Sequence, residues 1–435
     1  MRWKTAEYAG WGRALRATGD LARPERLSSL TALMAEEPAP AIGNCRSYGD
    51  ACLNHGGRAV QTLRLDRIIG FDPASGVATV EAGMQLGDLA RIFAPKGWLP
   101  AVMPGTGFAT VGGAIAHDVH GKNHHVAGSF GQHVRALTLV GVEGAVQRIT
   151  PDDPLFRATV GGLGQTGVIA SAELQLLKCK GDVIVVTERR IAGWDEFLGH
   201  LDASDASYTV GWIDATAQGS DLGRGILEEA ETGSGLVTQP GKPKSVPFDA
   251  PGFALAPGVV RLFNNAYYRR VPERGRTVVK PIQEFFFPLD RIRDWNRLYG
   301  REGFHQFQCV VPLEQAPALR AMLARIAKSG LASPLAVLKR MGPGRAGMMS
   351  FPMEGYTLAV DFPNRARAAR LIAELEGDTL AAGGRIYLAK DSLAKGSAVR
   401  AMYPEHGAWA AAVNGADPGG VLPTDLIRRL DLRSV

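Results

Sequence analysis

The sequence predicts an α+β protein of two units, and three observations carry that reading. At 435 residues the chain exceeds what one ordinary hydrophobic core supports, so two domains are expected. Of its 53 glycines, 25 lie before residue 170, a denser share than in the rest of the chain, which marks a loop-rich half where backbone approaches a ligand closely. Beyond Gly181 glycine thins out and strand patterns alternate with helical ones, as in a separate α+β unit.

The elements follow in order. "PERLSSLTALMAEE" reads as a short amphipathic helix, and "PAIGNCRSYGDACLNHGG" as a strand entering a tight loop. "AVQTLRLDRIIGFDPASGVATVEAG" gives two strands about the turn signal "DPASG". "QLGDLARIFAPKG" is a helix ending at Gly97, followed by the unusual loop "WLPAVMPGTGFATVGGAIAHD". "RALTLVGVEG" and "VIASAELQLL" are strands, the second with strict alternation from Val168 to Leu176. In the second unit "YTVGWIDA", "FHQFQCVVP" and "GYTLAVDF" read as strands, and "LEQAPALRAMLARIAKSG" and "RARAARLIAELEGDTLAAGG" as helices. The proline-rich stretch at about 239–258 has little periodicity and reads as a mobile loop. Thr424 stands as the cap of a last short helix. The expected boundaries are 1–181, 182–384 and 385–435, the third segment returning to the first unit.

Composition narrows the function classes. Hydrophobic content of 46% with 21% charged residues fits a globular protein. The net charge of +6 favours an anionic ligand or membrane surface, but the basic residues are scattered, so no nucleic-acid partner is expected. Cys45, Cys52, Cys179 and Cys309 form no CxxC pair and read as free thiols. The N-terminal residues lack the apolar core of a signal peptide, and no apolar run is long enough to span a bilayer. The expectation is a cytoplasmic protein, with association at a membrane surface left open.

Several motifs fail on context. "GLGQTG", Gly162 to Gly167, has the spacing of a dinucleotide fingerprint, but a strand pattern follows it where that motif needs a helix. No P-loop and no GxSxG elbow occur. Five histidines lie between Gly112 and Val134: His117, His120, His124, His125 and His133. A metal would suit them on one helix face, yet Gly121 and the "GKN" turn break any helix, and no metal is expected. The other reading is a backbone cradle, in which glycines leave consecutive N–H groups free for phosphate oxygens. A flat ring would then lie against Val111, Ala114 and Ala116.

"GNCRSYGDACLN", "MPGTGFATVGGAIAHDVHGKNHHVAGSFGQHV" and "GGLGQTGVI" together resemble the FAD-binding domain of the vanillyl-alcohol oxidase and p-cresol methylhydroxylase type. With "YTVGWIDA", "PLDRIRDWNRLYGREGFHQFQCVVP", "VLKRMGPG", "MSFP" and "RIYLAKDS", the resemblance extends from about Trp11 to Leu432. It then points to the decaprenylphosphoryl-ribose 2'-oxidases, the flavoprotein half of a two-enzyme epimerase that makes an arabinosyl donor. The implied fold is a two-part FAD-binding domain plus an α+β substrate domain with an antiparallel sheet.

The resemblance implies a pyrophosphate loop of Ile42, Gly43, Asn44, Cys45, Arg46, Ser47, Tyr48, Gly49, Asp50 and Ala51. Gly105, Thr106, Thr110, Val111, Gly112, Gly113, Ala116, His117, Asp118, Val119 and His120 would line the flavin side. Ile169 would lie near the adenine half and Tyr387 near the ring system. Some relatives tether FAD through a histidine where Arg46 stands, so non-covalent FAD is implied here. Trp212, Phe286, Gln306, Gln308, Lys339, Thr357 and Lys390 would gather on the substrate side. Thr357, Ala359, Phe286 and His117 depart from the Asn, Cys, Tyr and Cys of close relatives.

Oxidising an alcohol with a flavin requires a carbinol C–H aimed at N5 for hydride transfer, and a base for the hydroxyl proton. Lys390 is assigned that role, because desolvation lowers a lysine pKa; pairing with Asp391 at the surface is the alternative. Lys339 and Gln308 complete the catalytic set by orienting the sugar. The expected substrate is a polyprenyl-phosphate sugar, with an NADH-dependent short-chain keto-sugar reductase as partner. A soluble alditol or aldonolactone oxidase, or a flavin-carrying module without activity, are the competing readings.

Overall fold

Strand Val168–Lys178 buries alternate side chains and forms the spine of a six-stranded antiparallel sheet. In the computed structural model, which describes residues 3–235 and 243–434, this spine pairs with Val77–Glu81 on one side and Val134–Val140 on the other. Ile68–Asp72 and Val146–Ile149 form the outer strands, and Trp98–Pro100 also pairs with the spine. Helix Leu86–Phe93 sets Leu89 and Phe93 into this core, where Ile115 of helix Val111–Ala116 meets them. Each such fully buried side chain contributes about 1.5–3 kcal/mol. A smaller sheet orders Lys4–Ala9, Arg16–Ala22, Arg58–Gln61 and Ala41–Ile42, the last pair running parallel into the glycine-rich loop.

The second half is one eight-stranded antiparallel sheet. Its order is Arg276–Pro281, Val183–Ile191, Gly225–Gly233, Tyr208–Ile213, Ala336–Met341, Gly355–Pro363, Phe304–Val311 and Arg385–Ile386. Helices Ala316–Ser329 and Ala366–Ala381 bury Leu323, Ile326, Leu371 and Leu375 against one face, meeting Phe307, Val311, Leu358 and Phe362. The opposite face carries Gln306, Gln308, Thr357 and Asp361, all buried as well. Polar residues alternating with apolar ones usually mark a solvated face; here every residue of Phe304–Val311 is covered on both sides.

The sheet reaches Ile386, past the expected boundary at 384. The expected return of 385–435 to the first unit is only partial: Val399, Trp409 and Ile427 pack into the core of the large sheet, while Arg429 of helix Asp425–Leu430 reaches Asp50 of the first unit at 2.7 and 2.8 Å and holds Asp391 at 2.8 Å. Three local expectations change. The first strand expected after "GG" is two, Arg58–Gln61 and Ile68–Asp72, because the turn Thr62–Arg64 redirects the chain between sheets. The loop after Gly97 contains strand Trp98–Pro100 and helix Val111–Ala116, whose Gly113 amide donates to the Thr110 hydroxyl at 3.2 Å. Of the expected mobile loop, residues 239–242 lie outside the described residues. From 243 onward the chain is anchored: Lys244–Ser245 pairs with Ile292–Arg293, Asp249 binds Arg13 at 2.6 Å, and helix Pro257–Arg269 begins.

Candidate active site

Register puts one polar row on the inner face of the large sheet. Gln306 lies opposite Asp361, Gln308 opposite Ala359, Lys339 opposite Thr357, and Trp212 opposite Val337. The loop Gly105–Lys122 from the first unit faces this row, and together they enclose a cavity of about 450 Å³. Five basic side chains line it, Arg46, Lys122, Arg270, Lys339 and Lys390, against two carboxylates, Glu228 and Asp290; even with Lys339 and Lys390 uncharged, the other three outnumber the carboxylates. The excess suits a ligand bearing phosphate.

His120 joins the two walls. Its Nε2 lies 3.1 Å from the Gln308 amide nitrogen and its Nδ1 lies 3.2 Å from Lys339 Nζ. A neutral imidazole has one donor and one acceptor. With Gln308 donating to Nε2, His120 Nδ1–H donates to an uncharged Lys339 amine. Burial favours that state, pulling Lys339 down to about 7, while burial and then Lys339 hold His120 well below the usual histidine range. Gln308 also donates to the Thr357 hydroxyl at 3.2 Å, which fixes its amide.

Lys390 lies across the cavity with Nζ 3.4 Å from the centre of the Tyr48 ring. Its backbone is fixed by the turn from Tyr387, whose amide donates to the Gln308 carbonyl at 2.9 Å. Burial lowers the Lys390 amine to about 7, against the attraction of Asp361. Asp361 is fully buried, accepts from Gln306 and from the Tyr299 hydroxyl at 3.1 Å, and is itself pushed up by burial. The alternative pairing of Lys390 with Asp391 is overturned, since Asp391 binds Arg429.

The loop after Ile42 has the makings of an anion cradle. Cys45 takes φ +49°, and among the described residues the amides of Asn44, Cys45, Arg46 and Ser47 donate to no protein acceptor. A Cβ at Gly43 would stand 2.4 Å from the Thr110 hydroxyl, so only glycine lets the two loops close together. Arg46 is sandwiched between Trp11 and Phe108, 4.3 and 4.6 Å from their ring centres, and its buried Nε has no partner. His117 Nδ1 is likewise buried and unpartnered, and burial pulls that ring down to about 4. These unmet donors fit a large, polar, anionic cofactor seated between the two loops.

Residues 22–150 match the model of the FAD binding domain family, covering both loops. Decaprenylphosphoryl-beta-D-ribose oxidase of Mycolicibacterium smegmatis is 36% identical over 98% of this chain and 98% of its own length. The chain belongs to that FAD-dependent oxidase family. A Streptomyces coelicolor protein named for its position in the mprA 5' region is 32% identical over 79% of this chain and 99% of its own length. The D-lactate dehydrogenase of Anaerostipes hadrus is 28% identical over 38% of each chain. In the family frame, the cradle amides, Arg46, Gly112, Gly113 and His117 are the groups that would hold FAD.

Most residues expected at the site line the cavity, but four do not. Val111 is buried in the core of the first unit, so a ring would lie against Ala114 and Ala116 without it. Gly49 abuts Asp391, where a Cβ would sit 1.9 Å from its carbonyl oxygen. Asp50 turns away to Arg429. Asp118 is fully buried, with φ +40°, and accepts from the Gly131 and Ala346 amides and the Ser350 hydroxyl at 2.8, 3.0 and 2.5 Å. "GLGQTG" opens strand Val168–Lys178 and adds Leu163, Gly164 and Gly167 to the cavity wall.

Of the other histidines between Gly112 and Val134, two clamp remote segments and His133 binds locally. His124 Nδ1 accepts from the Gly342 amide at 3.1 Å, His125 Nε2 lies 2.9 Å from the Ala206 carbonyl, and His133 Nε2 lies 2.8 Å from that of Ala127. Among the described residues no three His, Cys, Asp or Glu side chains gather to hold a metal.

Sequence reasoning missed Lys122, Asp290 and Asp361. Lys122 donates to the Phe285 carbonyl and lies over that ring, and burial pulls it down to about 8. Asp290 accepts from Thr106 and Gly107 at 2.8 and 2.7 Å, bracing the loop beside Arg46. A carboxylate inside the apolar run "TLAVDFP" was the available signal for Asp361. Arginine cannot form the tether that histidine makes, so acid precipitation is expected to release all the flavin; a fluorescent protein band in a denaturing gel would show otherwise.

Proposed function

We propose that the enzyme oxidises the 2'-hydroxyl of decaprenylphosphoryl-ribose, or of a close polyprenyl-phosphate pentose, to the keto sugar. The observation that carries this reading is the polar cavity in which Gln306, Gln308 and Lys339 face Lys390 across a space roofed by His117 and His120. Bound FAD supplies the two-electron acceptor for the carbinol hydride. Neutral Lys390 takes the hydroxyl proton, and its contact with Tyr48 holds the amine at one edge of the cavity. The Gln308–His120–Lys339 chain orients sugar hydroxyls by fixed donors and acceptors, which lowers the entropic cost of alignment. Lys122 lies over Phe285 beside Phe286, and Arg270, paired with Glu188 at 3.0 Å, lies over Tyr267 beside Trp212; Lys122 suits the phosphate. In this reading the keto product passes to an NADH-dependent short-chain reductase.

The test is anaerobic mixing of the yellow enzyme with decaprenylphosphoryl-ribose, free alditols and aldonolactones, following loss of flavin absorption. Bleaching is expected from the lipid-phosphate pentose. Bleaching by the free polyols alone would replace the lipid reading with a soluble one.

A further inference from the structure

Helix Pro257–Arg269 carries apolar residues on its exposed side as well as its buried one. Its inward face buries Val260 and Asn264, and the Asn264 amide donates to Asp214 at 2.7 Å. Its outward face is the apolar stripe Val259, Leu262, Phe263 and Ala266, with Leu262 72% exposed. The spacing i, i+3, i+4, i+7 is that of a stripe meant for burial. The adjoining segment adds Phe253 at 72% and Phe248 at 69%, and Leu298 is exposed on the turn packed beside it. An apolar surface of this extent is rare on a monomer without a contact to make.

Charge and continuity indicate what covers it. Arg261, Arg269 and Arg293 flank the stripe, exposed, and among the described residues none is in an ion pair. The Phe263 ring stacks on Tyr267, with centres 5.9 Å apart, and Tyr267 meets Trp212 edge-on at 4.7 Å. Tyr267 and Trp212 both line the cavity. An aromatic track therefore leads from the exposed stripe into the site. Apolar residues below and unpaired arginines at the flank are the pattern of a helix lying in a bilayer interface.

We propose that this face docks the enzyme on an anionic lipid bilayer, so that a lipid-linked sugar enters along Phe263, Tyr267 and Trp212. The entry route rests on the substrate reading above; the docking does not. Holoenzyme is sedimented with vesicles of phosphatidylcholine, with and without phosphatidylglycerol, and no substrate. Binding to the anionic vesicles is expected, weakening as salt rises. Binding should fall ~tenfold in Phe253→Ser/Val259→Ser/Leu262→Ser. Ile69→Ser/Val126→Ser, exposed apolar residues elsewhere, should bind as wild type. If the triple variant loses its flavin, Leu262→Ser alone replaces it, with a smaller fall expected in the same assay. Wild type that stays in the supernatant, or variants that sediment equally, would overturn the proposal. So would a change from dimer to monomer in the variant without any vesicle binding, which would assign the face to a second copy. Because the vesicles hold no substrate, failure here leaves the substrate reading standing, and the converse also holds.

Discussion

Lys390→Ala is expected to slow anaerobic flavin bleaching by about 10²–10⁴-fold while flavin content stays at the wild-type level. The amine touches the Tyr48 ring and among the described residues makes no hydrogen bond, so its loss removes a base and leaves the cradle intact. The pH profile carries a second readout. Lys390, lowered to about 7 by burial, is protonated below neutrality and cannot accept the hydroxyl proton. The bleaching rate should therefore fall as pH drops through about 7. Asp361 favours the charged lysine, so Asp361→Asn should lower the lysine pKa further and move the acid limb to lower pH. An unchanged rate in Lys390→Ala, or a limb that moves to higher pH in Asp361→Asn, would remove this pair from proton transfer.

Asp118→Ala should be the most damaging single change outside the cavity. It strands the amides of Gly131 and Ala346 and the Ser350 hydroxyl, all directed at one fully buried carboxylate. Each unmet donor costs about 1–3 kcal/mol, so a total near 3–5 kcal/mol is expected. The left-handed backbone at this position adds strain for alanine that asparagine tolerates better. The unfolding midpoint should drop by roughly 3–6 °C, with Asp118→Asn between the two. The flavin should dissociate more readily, because Asp118 adjoins His117 and ties its loop to residues 346–350. A midpoint within error of wild type would mean the loop is held by other contacts.

Much of this was legible in the sequence, for reasons that differ by element. Strand Val168–Lys178 declared itself by period two, and helix Ala366–Ala381 by its apolar repeat. The glycine density of the 105–121 loop correctly outweighed its histidines, since close approach of two loops is a constraint written locally at Gly43 and Gly112. What stayed hidden depends on distance. His124 and His125 sit inside one short histidine-rich stretch, but their partners stand 218 and 81 positions away. Asp118 and Asp50 read as flavin neighbours because they sit inside the motifs, and only the fold shows their carboxylates turned toward Ser350 and Arg429. Helix Pro257–Arg269 was concealed by the prolines before it and by an apolar stripe on the side where periodicity expects polar residues.

The Arg429 clasp has a consequence for the order of assembly. The guanidinium fixes Asp50 in the pyrophosphate loop and Asp391 beside Lys390, and it lies 379 positions after the first of these. A ribosome delivers the cofactor loop long before the arginine that secures it. Closing so long a span costs entropy that is recovered only when the late helix docks. Flavin capture thus belongs at the end of biogenesis, and a growing chain passes most of its synthesis with the cradle made and unlatched.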